Sequence, residues 1–314
     1  MLPADGLKAE ARRLGFNAVG VCSAEPPVST GHYMAWLEAG YAGSMDFMHR
    51  SVELRSDLET LLPGVRSVVC VGLNYNQPLP NPDGSPKIAR YALGRDYHKV
   101  MRAKLRRLAA WIESAVPEAT SRACVDSAPV LEREYAHRAG LGWYGKNTCL
   151  IDSRTGSWFF IGTLLTTADI ETDKPSKGGC GTCTACIDAC PTGAIVQLDG
   201  VWSVDSRRCI SYLTIEEKSP VVQGDTAGWT VGCDVCQEVC PFNQPRPSQP
   251  DRAPVTTDPD LRAIRQWPPL VELQDITWHA WDELTRGSAV RRVGWEGLKR
   301  NARANLNQQP EETE

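Results

Sequence analysis

Eight of the twelve cysteines in this 314-residue chain lie between positions 180 and 240, in two closely spaced runs and one isolated position. The first run, CGTCTACIDACP at 180–191, has the spacing CxxCxxCxxxCP, and the second, CDVCQEVCP at 233–241, has the spacing CxxCxxxCP. Three thiolates at this spacing reach three corners of one cubane iron–sulfur cluster, and in two-cluster ferredoxins the cysteine before the proline ligates the other cluster. The sequence therefore predicts a bacterial-ferredoxin-like domain with two [4Fe–4S] clusters.

The second run lacks one of the ligands that a cluster needs. Its expected first cysteine would fall at position 230, where Thr230 stands, and the only cysteine left in the region is Cys209. All eight thiols are used by two crossed sets, which are Cys180, Cys183, Cys186 and Cys240 for one cluster and Cys190, Cys209, Cys233 and Cys236 for the other. A pair of zinc sites is the alternative that CxxC pairs favour in general, and disulfides are a weaker one in a reducing compartment.

The remaining composition is that of an ordinary globular protein. Hydrophobic residues make up 42% and charged residues 23% of the chain, and its formal net charge is −4. No stretch approaches the ~18 consecutive apolar residues of a membrane span, and the N-terminus lacks the apolar core of a signal peptide. We expect a cytoplasmic protein with no membrane contact. It would bind nucleic acid only through a local basic face, since its summed field does not attract phosphates.

Composition and periodicity divide the chain into three parts and predict a mixed fold, α+β or α/β. Residues 1–175 are expected to form an α/β domain, residues 176–244 the ferredoxin-like domain, and residues 245–314 a proline-rich linker and a basic helical tail that ends in acidic residues. Four prolines at 76–86 predict a surface loop. Within the first part, the predicted strands lie at 18–22, 67–73 and 121–125, and the predicted helices at 6–14, 99–116 and 130–138.

A second redox group is not apparent from the residues themselves. GLGWYG at 140–145 matches GxGxxG, but it follows a helical segment rather than a strand and lacks the acidic residue of a dinucleotide site. A nucleotide P-loop and a haem-attachment CxxCH are also absent from the sequence. The residues alone indicate an electron-transfer module joined to an α/β domain of unknown chemistry.

Five segments together resemble the epoxyqueuosine reductase family. They are VDSAPVLER at 125–133, GLGWYGKNTCLI at 140–151, the cysteine run extended to PTGAI at 180–195, RCISYLT at 208–214 and GCDVCQEVCPFN at 232–243. The resemblance implies a cobalamin enzyme that reduces the epoxide of epoxyqueuosine at the wobble position of tRNA with a GUN anticodon, giving queuosine. It also implies that residues 1–175 bind cobalamin, and that an external donor such as a ferredoxin or flavodoxin supplies electrons through the clusters.

The same resemblance implies which residues meet the cofactor and the substrate. Asp126 would be the proton donor to the departing oxygen, which requires burial to raise its pKa well above the ordinary value of about 3.9. Without the resemblance, Asp126 is a candidate N-cap of the helix predicted at 130–138. The implied cobalamin or substrate contacts are Arg55, Tyr97, His98, Asp126, Lys146, Asn147, Leu150, Ile151, Asp152, Ser211 and Asp234. No DxHxxG motif is present, so we expect no protein histidine on the cobalt.

Two basic tracts are candidates for contacts with tRNA. One lies on the helix predicted at 99–116 and the other in the tail, and their members are Lys99, Arg102, Lys104, Arg106, Arg107, Arg286, Arg291, Arg292, Lys299, Arg300 and Arg303. Solvated helix faces are the alternative that charge alone favours equally.

We expect a monomer. Two other functions share parts of the pattern, a reductive dehalogenase-like cobalamin enzyme and a non-catalytic ferredoxin-type electron carrier.

Overall fold

The structure is a computed structural model that describes residues 1–80 and 84–308. The strands are β1 (Ala18–Ser23), β2 (Ser67–Asn74), β3 (Lys87–Ile88), β4 (Ser121–Cys124), β5 (Trp143–Tyr144), β6 (Leu150–Ile151), β7 (Phe159–Thr166), β8 (Ile195–Leu198), β9 (Val201–Val204) and β10 (Trp229–Val231). The helices are α1 (Ala4–Arg13), α2 (Thr30–Glu38), α3 (Asp46–His49), α4 (Val52–Ser56), α5 (Tyr97–Ala115), α6 (Glu132–Arg138), α7 (Ala185–Asp188), α8 (Ile210–Ile215), α9 (Val235–Glu238), α10 (Leu270–Leu273), α11 (Trp278–Thr285) and α12 (Trp295–Gln308). The middle of the predicted loop at 76–86 and the acidic end at 309–314 lie outside the described residues.

A four-stranded sheet with the order β1-β2-β7-β4 forms the centre of the first part. Its strands are antiparallel at every pairing, so the mixed fold is of the α+β kind. β2 pairs with β7 along its whole length, and all eight of its residues are buried. Because both faces of β2 are covered, its sequence is a continuous apolar run rather than an alternating one.

Helices cover the sheet on both sides. α1 and α5 pack on one face around Leu7, Met101 and Leu105, and α6 packs on the other face with Tyr135 and Leu165. These helices and the strands at β1, β2 and β4 confirm the elements predicted for this part of the chain, with small shifts of their ends. The arrangement places the end of β4 beside the start of α5, where the site described below is built.

The cysteine runs lie on two short helices, α7 and α9, which contact each other. The last helix, α12, folds back on this region through buried asparagines. Asn301 Nδ2 donates to the carbonyl of Thr230 at 2.8 Å, and Asn305 Nδ2 donates to the carbonyl of Trp229 at 3.1 Å. The tail is therefore tied to β10, directly before the second cysteine run. Among the described helices, none is both long and apolar enough to cross a lipid bilayer.

Candidate active site

Four thiols, here called the outer thiol group, line one small cavity and are Cys180, Cys183, Cys186 and Cys240. Burial raises the pKa of Cys186 to about 11, and the negative charges of Cys180, Cys240 and Cys183 add to that rise. All four sulfurs therefore lie close to one another, although they come from opposite ends of the cysteine region. The structure brings together the first ligand set that the sequence predicts.

The inner thiol group consists of the other four predicted ligands, Cys190, Cys209, Cys233 and Cys236. Burial raises the pKa of Cys233 to about 12, and repulsion from the thiolates of Cys209 and Cys190 contributes. Burial also raises the pKa of Cys236, with the charges of Cys149, Cys209 and Cys233 adding to it. The charge of Cys186, a member of the outer thiol group, contributes as well, and Cys149 belongs to neither predicted set. The remaining interactions between thiols join the members of the second set.

The surroundings of the outer thiol group fit an iron–sulfur cluster. Trp143 packs against Cys180 and Cys240, and its buried Nε1 has no hydrogen-bond partner. A buried N–H without an acceptor is costly, and cluster sulfurs accept such hydrogen bonds. Among the described residues, no three His, Cys, Asp or Glu side chains are placed to hold a single metal ion. The four thiols line a cavity, which suits a cubane better than a zinc ion that needs every sulfur about 2.3 Å away.

Asp126 lies two residues after β4, as the sequence predicts, and its carboxylate meets the start of α5. Tyr97 Oη donates to Asp126 Oδ2 at 3.0 Å, and His98 Nε2 lies 3.0 Å from the same oxygen. The Tyr97 ring stacks between His98 and Phe160, with ring centroids 4.0 and 4.1 Å away.

The N-cap of α6 is Leu131, without a side-chain hydrogen bond. The N-cap role considered for Asp126 is therefore wrong.

The proton of this site belongs to His98 rather than to Asp126. Burial alone would lower the pKa of His98, but its hydrogen bonds to Asp126 and Asp96 outweigh burial and raise the pKa to about 9. Burial alone would raise the pKa of Asp126, but the hydrogen bond and positive charge of His98 hold it below its ordinary value. The Asp126 side chain is also 63% exposed, so protein atoms surround it without excluding water. The expected rise of the Asp126 pKa through burial is wrong, because a protonated histidine faces the carboxylate.

Glu132 belongs to the same site, although sequence reasoning does not single it out. The backbone N–H of Asp126 donates to Glu132 Oε1 at 3.0 Å. Asp126 has a φ of +50°, a left-handed conformation that costs a non-glycine residue about 1–3 kcal/mol. Burial raises the pKa of Glu132 to about 8, and the charge of Asp126 adds to that rise. The only signal in the sequence is a carboxyl in the first turn of α6, six residues after Asp126.

Arg55 places an unsatisfied cationic donor near this site. Its side chain is buried, Nε donates to Tyr33 Oη at 3.2 Å, and Nη2 donates to the Met48 sulfur at 3.6 Å. Nη1 is buried and has no hydrogen-bond partner. The positive charge of Arg55 also reaches Glu132, whose pKa it lowers slightly against the effect of burial. A buried N–H of this kind fits an acceptor on a bound cofactor, such as the amide side chains of cobalamin.

Other predicted contacts lie near the thiols rather than near Asp126. Lys146, Asn147 and Ile151 line the outer cavity, and Asn147 Nδ2 also donates to the carbonyl of Cys236 at 3.2 Å. Asn147 thus touches both thiol groups. Leu150 is buried beside Ile151 in β6. The predicted contacts therefore fall into two regions, one around Asp126 and one around the thiols.

Asp234, Ser211 and Asp152 have different structural surroundings. Asp234 is 1% exposed and accepts from the backbone N–H and the guanidinium of Arg90, at 2.8 and 3.0 Å. Burial raises the pKa of Asp234 to about 6, although Arg90 opposes the rise. Ser211 lies in α8, two residues after Cys209. Asp152 Oδ1 accepts from the backbone N–H groups of the next turn, at 2.9 and 2.8 Å, so this carboxylate holds its own loop.

Carboxylates elsewhere in the fold neutralise most of the basic tail. Arg286 and Arg291 pair with Asp282, Arg292 pairs with Glu216 at 2.7 Å, and Arg303 pairs with Asp275 at 3.3 Å. The Arg300 guanidinium is buried and donates to three backbone carbonyls. In the other tract, Lys104 pairs with Asp258 at 3.0 Å, whereas Lys99, Arg106 and Arg107 are exposed. The tail is therefore less positive at its surface than the sequence count suggests.

A second cavity of about 280 Å³ lies where the tail meets the start of α5. His98 and Lys99 line one side, and Ser288, Arg291 and Arg292 line the other. The charge of Arg292 also contributes to lowering the pKa of Asp126. This cavity brings cationic side chains next to the hydrogen-bonded carboxylate, which is an arrangement suited to an anionic substrate with a reacting group.

Comparisons with known proteins match both halves of the site. A family profile described as "Epoxyqueuosine reductase QueG, DUF1730" matches residues 55–127, and one described as "4Fe-4S double cluster binding domain" matches residues 179–243. An epoxyqueuosine reductase of Gloeobacter violaceus is 45% identical, over 96% of this chain and 94% of its own length.

Solved structures show the same relationship. The epoxyqueuosine reductase of Streptococcus thermophilus has a TM-score of 0.83 at 28% identity, covering 97% of this chain and 81% of its own. An epoxyqueuosine reductase crystallised with an epoxyqueuosine-modified tRNA-Tyr stem loop has a TM-score of 0.83 at 27% identity, covering 96% and 80%. The reductive dehalogenase NpRdhA, at 17% identity and a TM-score of 0.53, covers 95% of this chain and 38% of its own, and shares the fold alone. The identity to the Gloeobacter protein over nearly all of both sequences shows that the chain belongs to the epoxyqueuosine reductase family.

Proposed function

We propose that this chain reduces the epoxide of epoxyqueuosine, at the wobble position of tRNA, to the alkene of queuosine. The proposal rests on one combination: in a member of this family, two groups of four thiols occur in the same fold as a carboxylate hydrogen-bonded to Tyr97 and His98. The reaction takes up two electrons and two protons, and the epoxide oxygen leaves as water. We place the protein in the cytoplasm as a monomer, with an external carrier as its electron donor.

Two [4Fe–4S] clusters and cobalamin are the proposed cofactors. Cobalamin supplies a strongly reducing cobalt centre when it is bound, and the clusters supply single electrons to it. The ligands of the clusters would be the outer and inner thiol groups, in residues 176–244. Arg55, Tyr97 and His98 would hold cobalamin and substrate from residues 1–175, with Asn147, Ser211 and Asp234 on the side of the thiols.

Asp126 and His98 supply one of the two protons that the departing oxygen needs to leave as water. At neutral pH the proton lies on His98, and the 3.0 Å contact to Asp126 Oδ2 is short enough for the carboxylate to pass it on. Tyr97 donates to the same oxygen and keeps its own proton, because burial and the charge of Asp126 raise its pKa far above neutrality. Tyr97 therefore orients the carboxylate, while His98 stores the proton.

The rate of epoxide reduction should fall as the pH rises through about 9. The pKa of His98 lies above its ordinary value of about 6.5, so the histidine stays protonated near pH 7 and loses its proton only through that higher pH. A single-turnover pH–rate profile measures this decline, which is the alkaline limb of the profile. His98→Gln should remove the limb. Glu132 is the control, because burial raises its pKa to about 8. A limb that disappears in Glu132→Gln and persists in His98→Gln would contradict the assignment.

The cavity between His98 and Arg292 is where the anticodon nucleoside would enter. A modified wobble base must leave its stack to reach a buried cofactor, and phosphate contacts supply much of the affinity for RNA. The exposed Lys99 on α5 and the half-exposed Arg291 line the same opening. Although their charges are partly neutralised, these residues face the site rather than a distant surface.

Charge reversal at Arg291 and Arg292 should raise the Michaelis constant for tRNA and weaken its dependence on salt. Each phosphate contact that is lost lowers, by about 0.7, the slope of the logarithm of affinity against the logarithm of salt concentration. The double variant should therefore bind tRNA roughly tenfold more weakly at low salt. Steady-state kinetics at several salt concentrations measure both effects. Arg12→Glu with Arg13→Glu, at exposed positions of α1, is the matched control because it changes the net charge equally. Kinetics of the double variant that equal those of this control would refute the contact.

The proposed activity has a direct assay. The enzyme is reconstituted anaerobically with iron, sulfide and cobalamin, and is then incubated with a strong reductant and tRNA that carries epoxyqueuosine. Digestion and mass spectrometry of the nucleosides should show a loss of about 16 mass units, the oxygen of the epoxide, and only when cobalamin is included. A fully loaded enzyme that leaves epoxyqueuosine unchanged would overturn the proposal.

A further inference from the structure

The outer thiol group is covered by a small cationic surface, here called the cationic cap, formed by Lys146, Phe242, Arg246 and Arg252. Phe242 and Lys146 line the cavity of the thiols. The guanidinium carbons of Arg246 and Arg252 lie 5.8 and 5.1 Å from the centre of the Phe242 ring. Trp143 supports the same ring from its edge, with centroids 4.9 Å apart. Two arginines therefore meet on an aromatic ring that forms the wall of the cavity.

The charges of the cap are not neutralised by carboxylates. Within the part of the chain that the structure describes, none of Lys146, Arg246 and Arg252 forms a salt bridge, in contrast to most cations of the tail. Arg246 is exposed, and Arg252 is 8% exposed with a buried Nε that has no partner. The charge of the Cys240 thiolate reaches Arg252, so the outer thiols offset part of the positive charge of the cap. The exposed Arg246 is the cation of the cap most available to an anionic partner.

The inner thiol group is connected to the site around Asp126 through Tyr91. Tyr91 lies between the two, because its ring centroid is 6.2 Å from that of Tyr97, and a Cβ added at Gly232 would lie 3.2 Å from its ring. Gly232 directly precedes Cys233. The charge of Asp126 also adds to the rise that burial causes in the pKa of Tyr91. Electrons that pass through both groups must therefore arrive at the outer one.

We propose that the cationic cap is the docking surface for an acidic one-electron carrier protein, which delivers electrons to the outer thiol group. This inference rests on the proposed function, because it needs clusters at both thiol groups. Each docking oxidises the carrier by one electron and reduces the outer cluster by one, so two dockings supply the two electrons of one turnover. The exposed Arg246 and the half-buried Lys146 beside Phe242 supply steering, and the Phe242 ring, which lines the cavity of the outer thiols, supplies a short contact to the cluster.

The charge of the whole chain makes the location specific. With a formal net charge of −4, the protein repels an acidic carrier over most of its surface. An unpaired cationic cap directly above the outer thiols is the region where attraction and short electron-transfer distance coincide. Reversing its charges should slow the encounter with the carrier and leave the cluster itself intact.

The test is stopped-flow reduction of the reconstituted enzyme, followed by bleaching of the cluster absorbance in the absence of tRNA. Reduced flavodoxin is the acidic carrier, and reduced methyl viologen is a small cationic reductant that needs no docking surface. Arg246→Glu should slow reduction by flavodoxin about tenfold at low salt and flatten its salt dependence, at the lower end of the roughly 10- to 1,000-fold range of electrostatic steering. Reduction by methyl viologen should not be slowed.

Arg246→Gln tests the same surface with a milder change and should give a smaller effect in the same direction. Arg12→Glu, at an exposed position of α1, is the matched control for a change of net charge. Equal rates with flavodoxin for Arg246→Glu and for Arg12→Glu, which change the net charge equally, would overturn the docking surface while leaving the proposed function intact. Absence of bleaching with methyl viologen in the unaltered enzyme would show that clusters are missing, and would overturn both.

Discussion

Asp126→Asn should abolish epoxide reduction while both clusters and cobalamin stay in place. Asparagine has the shape of aspartate and keeps the hydrogen bond from Tyr97, but it carries no charge and cannot pass on the proton that His98 holds. Loss of a positioned acid–base group typically costs about 10²- to 10⁴-fold in rate. The measurement is the single-turnover rate with epoxyqueuosine tRNA, together with the iron and cobalt content of the same preparation.

Asp5→Asn is the matched control for that experiment, because Asp5 is an exposed aspartate in the first turn of α1. It should retain the full rate. An Asp126→Asn enzyme that keeps more than about a tenth of the unaltered rate would show that the proton comes from another group. The Glu132 carboxylate accepts from the backbone N–H of Asp126, and Glu132→Gln then becomes the decisive second variant.

Cys236→Ala should remove one cluster and lower the iron content from about eight to about four atoms per chain. Cys236 lies in the inner thiol group, where burial raises its pKa and the negative charges of Cys209 and Cys233 add to that rise. Three thiols hold a cubane incompletely, and electrons could no longer reach the site around Asp126. Turnover should therefore be lost, although the outer cluster remains visible by electron paramagnetic resonance.

Cys149→Ala is the control that separates ligands from neighbouring thiols. Burial raises the pKa of Cys149 to about 12, and the charges of Cys240 and Cys186 contribute, so this thiol lies close to the clusters without belonging to either predicted set. The variant should retain about eight irons. Loss of half the iron in Cys149→Ala, or full iron in Cys236→Ala, would refute the ligand assignment.

The cysteine spacing predicted the two thiol groups because most ligands of one cluster lie only a few residues apart in the sequence. The runs at 180–191 and 233–241 each place thiols on short turns and helices, and counting the remaining cysteines identified Cys209 as the missing member. The strand β2 was equally predictable, since burial on both faces requires an unbroken apolar run. The antiparallel order of the sheet was not, because strand pairing is a long-range property that periodicity does not report.

The electrostatics of the site could not be read from the sequence. His98 lies 28 residues before Asp126 and reaches it only because α5 begins beside the end of β4. The resulting hydrogen bond reverses the expected direction of the Asp126 pKa shift. The number of basic residues in the tail also overestimates the positive charge of its surface. Glu216 and Asp282 neutralise Arg292 and Arg291 in the folded chain. Charges must be counted with their spatial partners.

The central claim is that two clusters, held by eight thiols, transfer electrons to cobalamin beside Asp126. Its most direct test is elemental analysis of the protein purified anaerobically and loaded with cobalamin. About eight irons and one cobalt per chain, with no stoichiometric zinc, are the expected result. Zinc at the thiol groups, or a chain that takes up no cobalt, would contradict the claim.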